Sequence, residues 1–246
     1  MKKHPILIKI GKIMIIFATL VGVATLTIAI HPQIAVGQIQ KLMYQKHPVN
    51  TYSPLHQPSE GMTDSGLYKI TDRKYAIKYP NSYLDITYPS KNMNGKYPTL
   101  FYFHGGGFFG GSKDMGDPMA ANESTAMLDD LCKAGFTIVN VDYALVPDYH
   151  FPVPLIQANQ AFAWASKHAD TYHLDMQHVI IMGSSAGAIM ASQLGSVITN
   201  GKYAKQVGIT PTLSREQVKA IVIDDAPLDY DTFPFACKLL IGNYVK

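Results

Sequence analysis

The period of the hydrophobic positions changes along this chain, and the changes mark its elements. Residues 13–30 form an unbroken apolar stretch without a charge, and about 18 such residues are what a membrane-spanning helix requires. Between residues 45 and 66 the periodicity stops, and Pro48, Pro54, Pro58, Gly61 and Gly66 punctuate a polar stretch that reads as a tether. Residues 68–79 and 83–88 then show the aromatic and β-branched alternation of antiparallel strands, closed by Pro80 and Pro89. Residues 97–103, 136–141, 179–182 and 218–223 are short apolar runs suited to strands buried on both faces. Between them, residues 119–134, 155–168 and 186–198 space their apolar side chains at helical intervals, as in Leu155, Ala158, Phe162 and Ala165. This alternation predicts a three-layer α/β sandwich, a mostly parallel sheet with helices on both faces.

The run at 218–223 has the composition of an interior strand, yet only about twenty residues follow it, too few for another crossover helix and its strand. A hydrophobic strand at a bare edge invites aggregation. The pattern therefore predicts that the last strands of the sheet are missing, the chain being truncated at its C-terminal side. The organisation expected is a basic segment at 1–12, a membrane anchor at 13–30, a linker at 31–66 and an incomplete folded domain at 67–246.

Composition adds little to this picture except at the N-terminus. With 246 residues, 47% hydrophobic and 16% charged, the chain has material for one sizeable core. The formal charge of +3 comes from Lys2, Lys3, Lys9 and Lys12, which precede any acidic residue, so the body is near neutral and nothing points to a nucleic-acid partner. Lysines before the apolar stretch and none directly after it predict a single-pass cell-membrane protein, with its N-terminus inside and its domain outside the cytoplasm. The alternative is a secreted protein released by signal cleavage. Signal h-regions are usually only about 7–15 residues long, and the nearest small-residue site, Ala35-Val36-Gly37, lies beyond His31-Pro32. Cys132 and Cys237 have no motif spacing and are expected as two free, buried thiols.

Two segments carry chemistry. Gly183-Ser184-Ser185-Ala186-Gly187 lies between a predicted strand and a predicted helix. A turn there brings the residues two before and two after Ser185 together, so both must be glycine, and it lifts the hydroxyl above the strand ends. The start of the following helix offers its N–H groups and partial positive charge to a developing oxyanion. The bland reading is a glycine-flanked helix start capped by serine. His104-Gly105-Gly106-Gly107 follows another strand directly, and its side-chain-free amides can approach a substrate oxygen closely. With the N–H of Ala186, those of Gly105, Gly106 and Gly107 would make an oxyanion hole, and His104 would brace the loop by a hydrogen bond. By itself this could also be a flexible glycine loop. His173 and His178 lack the spacing of a metal pair on one helix, and with His150 and His168 they read as surface residues on loops or exposed helix ends; no metal site is expected.

These two segments, together with Asp142-Tyr143-Ala144-Leu145-Val146-Pro147-Asp148 and Phe151-Pro152, resemble the α/β-hydrolase superfamily, most closely its hormone-sensitive-lipase-like and feruloyl-esterase-like carboxylesterases, over residues 83–231. The resemblance implies an α/β-hydrolase sheet, no cofactor, and hydrolysis of a small-molecule carboxylic ester through an acyl-serine. It makes Ser185 the nucleophile and Gly106, Gly107 and Ala186 the oxyanion donors. Relatives usually carry Asp-Tyr-Arg-Leu-Ala-Pro-Glu where this chain has Ala144 and Asp148, so a supporting ion pair is expected to be absent. The triad order of this fold is Ser, acid, His, yet no histidine follows Ser185. The triad acid is left open, with Asp224, Asp225, Asp229 and Asp231 as weak candidates. The function expected is a membrane-anchored serine carboxylesterase with impaired turnover. The alternatives are a serine peptidase on the same fold and, from another class, a non-catalytic remnant or ligand-binding pseudoenzyme.

Overall fold

The computed structural model describes residues 5–44, 49–92, 97–116, 123–226, 228–234, 237, 238, 242 and 244. In chain order its elements are α1 (Pro5–Ile30), α2 (Pro32–Met43), β1 (Glu60–Met62), β2 (Tyr68–Lys74), β3 (Tyr83–Tyr88), β4 (Pro98–Phe103), α3 (Glu123–Lys133), β5 (Thr137–Val141), α4 (Val153–Lys167), β6 (Asp175–Ser184), α5 (Ala186–Thr199), α6 (Gly201–Gln206) and β7 (Val218–Asp224). The predicted start of α3 at residues 119–122 lies outside the described residues.

The strands form one sheet in the order β1-β2-β3-β5-β4-β6-β7. The first three pairings are antiparallel, whereas β5, β4, β6 and β7 run parallel to one another. β4 shows why the sheet needs helices on both sides. Phe101 and Phe103 join a core cluster with Phe162 of α4 and Leu194 of α5, while Leu100 and Tyr102 join a second with Leu128 and Cys132 of α3. Successive strand side chains point to opposite faces, so an all-apolar strand must be covered twice. The register places Phe103 opposite Gly183, so the segments that leave β4 and β6 emerge side by side at one end of the sheet.

Several expectations need correction. The strand foreseen at 68–79 ends at Lys74, which pairs with Tyr83, the first residue of β3, and its ladder is interrupted earlier, between Ile70 and Arg73, where Asp72 adopts a positive φ of 57°. The segment 31–66 is not a free linker over its described residues. Val36, Gln40 and Tyr44 recur at helical spacing, all buried, and Gln40 Nε2 donates to the carbonyls of Phe109 (2.7 Å) and Val146 (2.8 Å), which docks α2 on the body. Asn50 is tied to both the N–H and the carbonyl of Leu145, and β1 pairs with β2. Residues 13–30 are helical within α1, with Met14, Phe17, Leu20 and Leu26 exposed. Among the described residues no single helix is long and apolar enough to cross a membrane; α1 and α2 reach that length and composition only together, bent by 97°. β7 is the sheet's edge, and Ile221, Val222 and Ile223 are exposed there. Of the two cysteines, both free, Cys132 is buried but Cys237 is exposed.

Candidate active site

Ser185 sits between the last residue of β6 and the first of α5, at φ 52° and ψ −113°. A side chain there is strained, since non-glycine residues avoid positive φ. Its hydroxyl caps nothing, while its N–H donates to the carbonyl of Asp224 (2.9 Å) and its carbonyl accepts from Ala188 and Ile189. The backbone of the turn is thus fixed and the side chain is left for other work. The flanking glycines are required by contact. A Cβ on Gly183 would overlap the carbonyl of Gly187, and one on Gly187 would overlap the carbonyls of Phe103 and His104. The second overlap shows how tightly the start of α5 is pressed against the end of β4. Ala186 is the first helical residue, where N–H groups have no intrahelical acceptor.

The loop after β4 is held differently. Gly106 (φ 102°) and Gly107 (φ 61°) lie in the left-handed region, followed by Phe108 at 64°. The Gly106 carbonyl accepts from the N–H groups of Phe109 (3.1 Å) and Gly110 (3.0 Å), which folds the loop back on itself. His104 Nδ1–H donates to the Gly105 carbonyl (2.8 Å), and its ring stacks on Tyr143 at 4.2 Å. Tyr143 in turn donates its hydroxyl to the His104 carbonyl (2.6 Å). Burial pushes the His104 pKa down to about 4, so the imidazole is neutral. Its Nε2 lies 3.7 Å from Asp142 Oδ1, beyond hydrogen-bond reach. Burial raises the Asp142 carboxyl to about 7, against the opposing pull of Lys113.

Lys113 is the residue that the sequence reading missed. Its ammonium is buried between Asp72 (2.8 Å) and Asp85 (3.0 Å), with Asp114 at 3.2 Å. Its backbone is equally engaged: the N–H donates to Asp142 Oδ1 (2.6 Å) and the carbonyl accepts from Asn140 Nδ2 (2.7 Å). Burial alone would lower the Lys113 pKa, but Asp85, Asp142 and Asp114 outweigh it and hold it above the ordinary value. Burial likewise acts to raise Asp85, yet Lys113 and Lys69 prevail and hold it below the usual carboxylate range. The available signal was Asp85 itself, a carboxylate between Leu84 and Ile86 in a strand otherwise destined for the core.

The remaining candidates are scattered. His178 lies within β6, not on a loop, exposed and bonded to Asp175 (2.7 Å). His173 is exposed, His168 ends α4, and His150 is half-buried. Asp224 meets Ser185 through its backbone, and Asp225, Asp229 and Asp231 are exposed. Where the ion pair through position 144 was expected to be lacking, Asn50 Nδ2 reaches Asp148 Oδ2 (3.0 Å) and braces the same turn. Among the described residues, no group of three His, Cys, Asp or Glu side chains could hold a metal ion.

A family model, BD-FAE, matches residues 84–235, which include both glycine segments. The chain belongs to the BD-FAE family of α/β-hydrolase carboxylesterases. Among curated relatives, it is 32% identical over 118 residues to versiconal hemiacetal acetate esterase of Dothistroma septosporum, covering 48% of this chain and 34% of that one. It is 30% identical over 126 residues to an acetyl esterase of Salmonella schwarzengrund, covering 50% and 35%. The match therefore spans about a third of each relative's length. Esterase B from Lactobacillus rhamnosis superposes with a TM-score of 0.64 at 16% identity, over 87% of this chain and 65% of that one. That likeness bears out the α/β-hydrolase fold with its mixed, mostly parallel sheet.

Proposed function

We propose that this member of the family acts on small-molecule carboxylic esters through an acyl-serine formed on Ser185. The observation that carries the proposal is the turn at 183–187, whose strained serine has no structural duty for its hydroxyl and whose glycines are demanded by backbone contact. In this reading Ser185 Oγ attacks the ester carbonyl. The N–H groups of Gly106, Gly107 and Ala186 receive the oxyanion, and His104 keeps the loop in shape as a neutral, buried ring. The names of two relatives, an acetyl esterase and a hemiacetal acetate esterase, favour short acyl groups.

All nine histidines precede Ser185, and none of the described ones is bonded to its hydroxyl. We therefore propose that turnover by these 246 residues is impaired: loss of the triad histidine costs on the order of 10⁶ in rate. The anchor belongs to the same proposal, with the helix over residues 13–30 holding the domain at the outer face of the cell membrane. Release by cleavage is the competing possibility. The test is labelling with a fluorophosphonate, followed by peptide mass mapping, with imidazole added to stand in for the base. The expected adduct is on Ser185, formed faster with imidazole and absent from Ser185→Ala. An adduct on Ser184, or ester hydrolysis undiminished in Ser185→Ala, overturns the assignment.

A further inference from the structure

α2 has two faces with different neighbours. Val36, Gln40 and the following Tyr44 turn to the body, where Gln40 holds the Phe109 and Val146 carbonyls and the Tyr44 ring packs edge-on against Phe109. On another flank Ile39, Leu42 and Met43 are exposed, Leu42 by 73%. With the half-buried Ala35 they recur at the i, i+4, i+7, i+8 spacing of a helical stripe. An amphipathic helix normally buries its apolar stripe; this one buries Val36 with Gln40 against the protein and leaves Ile39, Leu42 and Met43 outward. Such a patch marks an interaction surface.

The occupant follows from what the helix is joined to. His31 alone separates α2 from α1, whose apolar residues from Met14 to Ile30 are exposed all round, the condition of a helix surrounded by lipid. We infer that the Ile39–Leu42–Met43 flank of α2 lies in the surface of a lipid bilayer, as a second attachment beside α1. The inference rests on the anchor proposed above and deepens it. Since the adjoining face of α2 carries the glycine loop, it sets that loop within roughly one helix diameter, about 10 Å, of the bilayer.

The test uses the full chain with Cys237→Ser, leaving Cys132 buried, and an environment-sensitive dye on Leu42→Cys or, as a control, on Glu216→Cys near the start of β7, at the far end of the sheet. The protein is reconstituted in phosphatidylcholine–phosphatidylglycerol vesicles with or without nitroxide-labelled lipid. Retention on floated vesicles, with the Leu42 dye quenched about twofold and the Glu216 dye unaffected, is the expected result. Adding Ile39→Glu and Met43→Glu should abolish the quenching while α1 still retains the protein. Failure to float overturns the anchor and the inference together. Flotation with an unquenched, water-exposed dye overturns the inference and leaves the anchor standing. A blue-shifted dye that lipid nitroxides do not quench assigns the flank to a second copy of the chain and also overturns it.

Discussion

The two halves of the candidate site reach the same end of the sheet by opposite means. The turn at 183–187 is held by backbone contacts: Ser185 is bonded to Asp224 and to the first turn of α5, and its glycines exist because carbonyls stand where side chains would be. The loop at 104–116 is held by polar side chains brought from far along the chain. Asp72 and Asp85 reach it from β2 and β3, Asn140 and Asp142 from β5 and its exit, Tyr143 from beyond that, and Gln40 from α2. A nucleophile needs one atom aimed, which a tight turn does locally. A loop that would offer several amides to one oxygen must keep its whole path, and glycines supply no side chains to hold it.

The sharpest way to break this contrast is Lys113→Met. Removing one partner of a buried ion pair costs about 3–5 kcal/mol, to be read as lost stability in urea denaturation. Hydrogen exchange should then show amides of residues 105–116 losing protection while those of 183–189 keep theirs; equal loss in both would erase the distinction. Gly187→Ala tests the other mechanism, because its Cβ would meet two carbonyls of the neighbouring segment. A destabilisation of roughly 2–4 kcal/mol is expected, within the range of single core changes, and a thermal midpoint equal to the parent's would show that the contact yields. Tyr143→Phe removes one hydroxyl from the His104 carbonyl and should cost about 1 kcal/mol, measured by the same denaturation.

The smallest effect concerns pH. Asp142, raised to about 7, makes the folded state bind more protons than the unfolded one between its ordinary carboxylate pKa and neutrality, so its contribution falls as pH rises through that window. His104, lowered to about 4, acts in reverse: its contribution falls as pH drops from its ordinary value toward 4. The two slopes oppose each other in the parent. Asp142→Asn keeps an acceptor for the Lys113 N–H and removes one slope, so the variant should gain stability more steeply than the parent as pH rises from about 4 to 6.5. Parallel melting profiles for the two proteins would contradict the shift assigned to Asp142.

The parallel strands, the helices between them and the turn around Ser185 were all legible in the residues. Each rests on short-range rules: alternation, helical spacing, and glycines two positions either side of a serine. The docking of α2 escaped, because Val36, Gln40 and Tyr44 make too narrow a stripe to stand out beside the longer apolar segment before them. The early end of β2 escaped too, since only the pairing with β3 shows that the ladder runs out opposite Tyr83.

What the amino-acid order determined by itself is therefore the scaffold and the position of the strained serine, products of local periodicity and of the close approach of Gly183 to Gly187. What only the tertiary structure decided is how the glycine loop is pinned and which residues pin it. Lys113 becomes a clamp because residues 28 and 41 positions earlier, Asp85 and Asp72, fold back to meet it in a site from which water is excluded. Such a charge cluster is stable only when every member is in place, and no pattern along the chain records that condition.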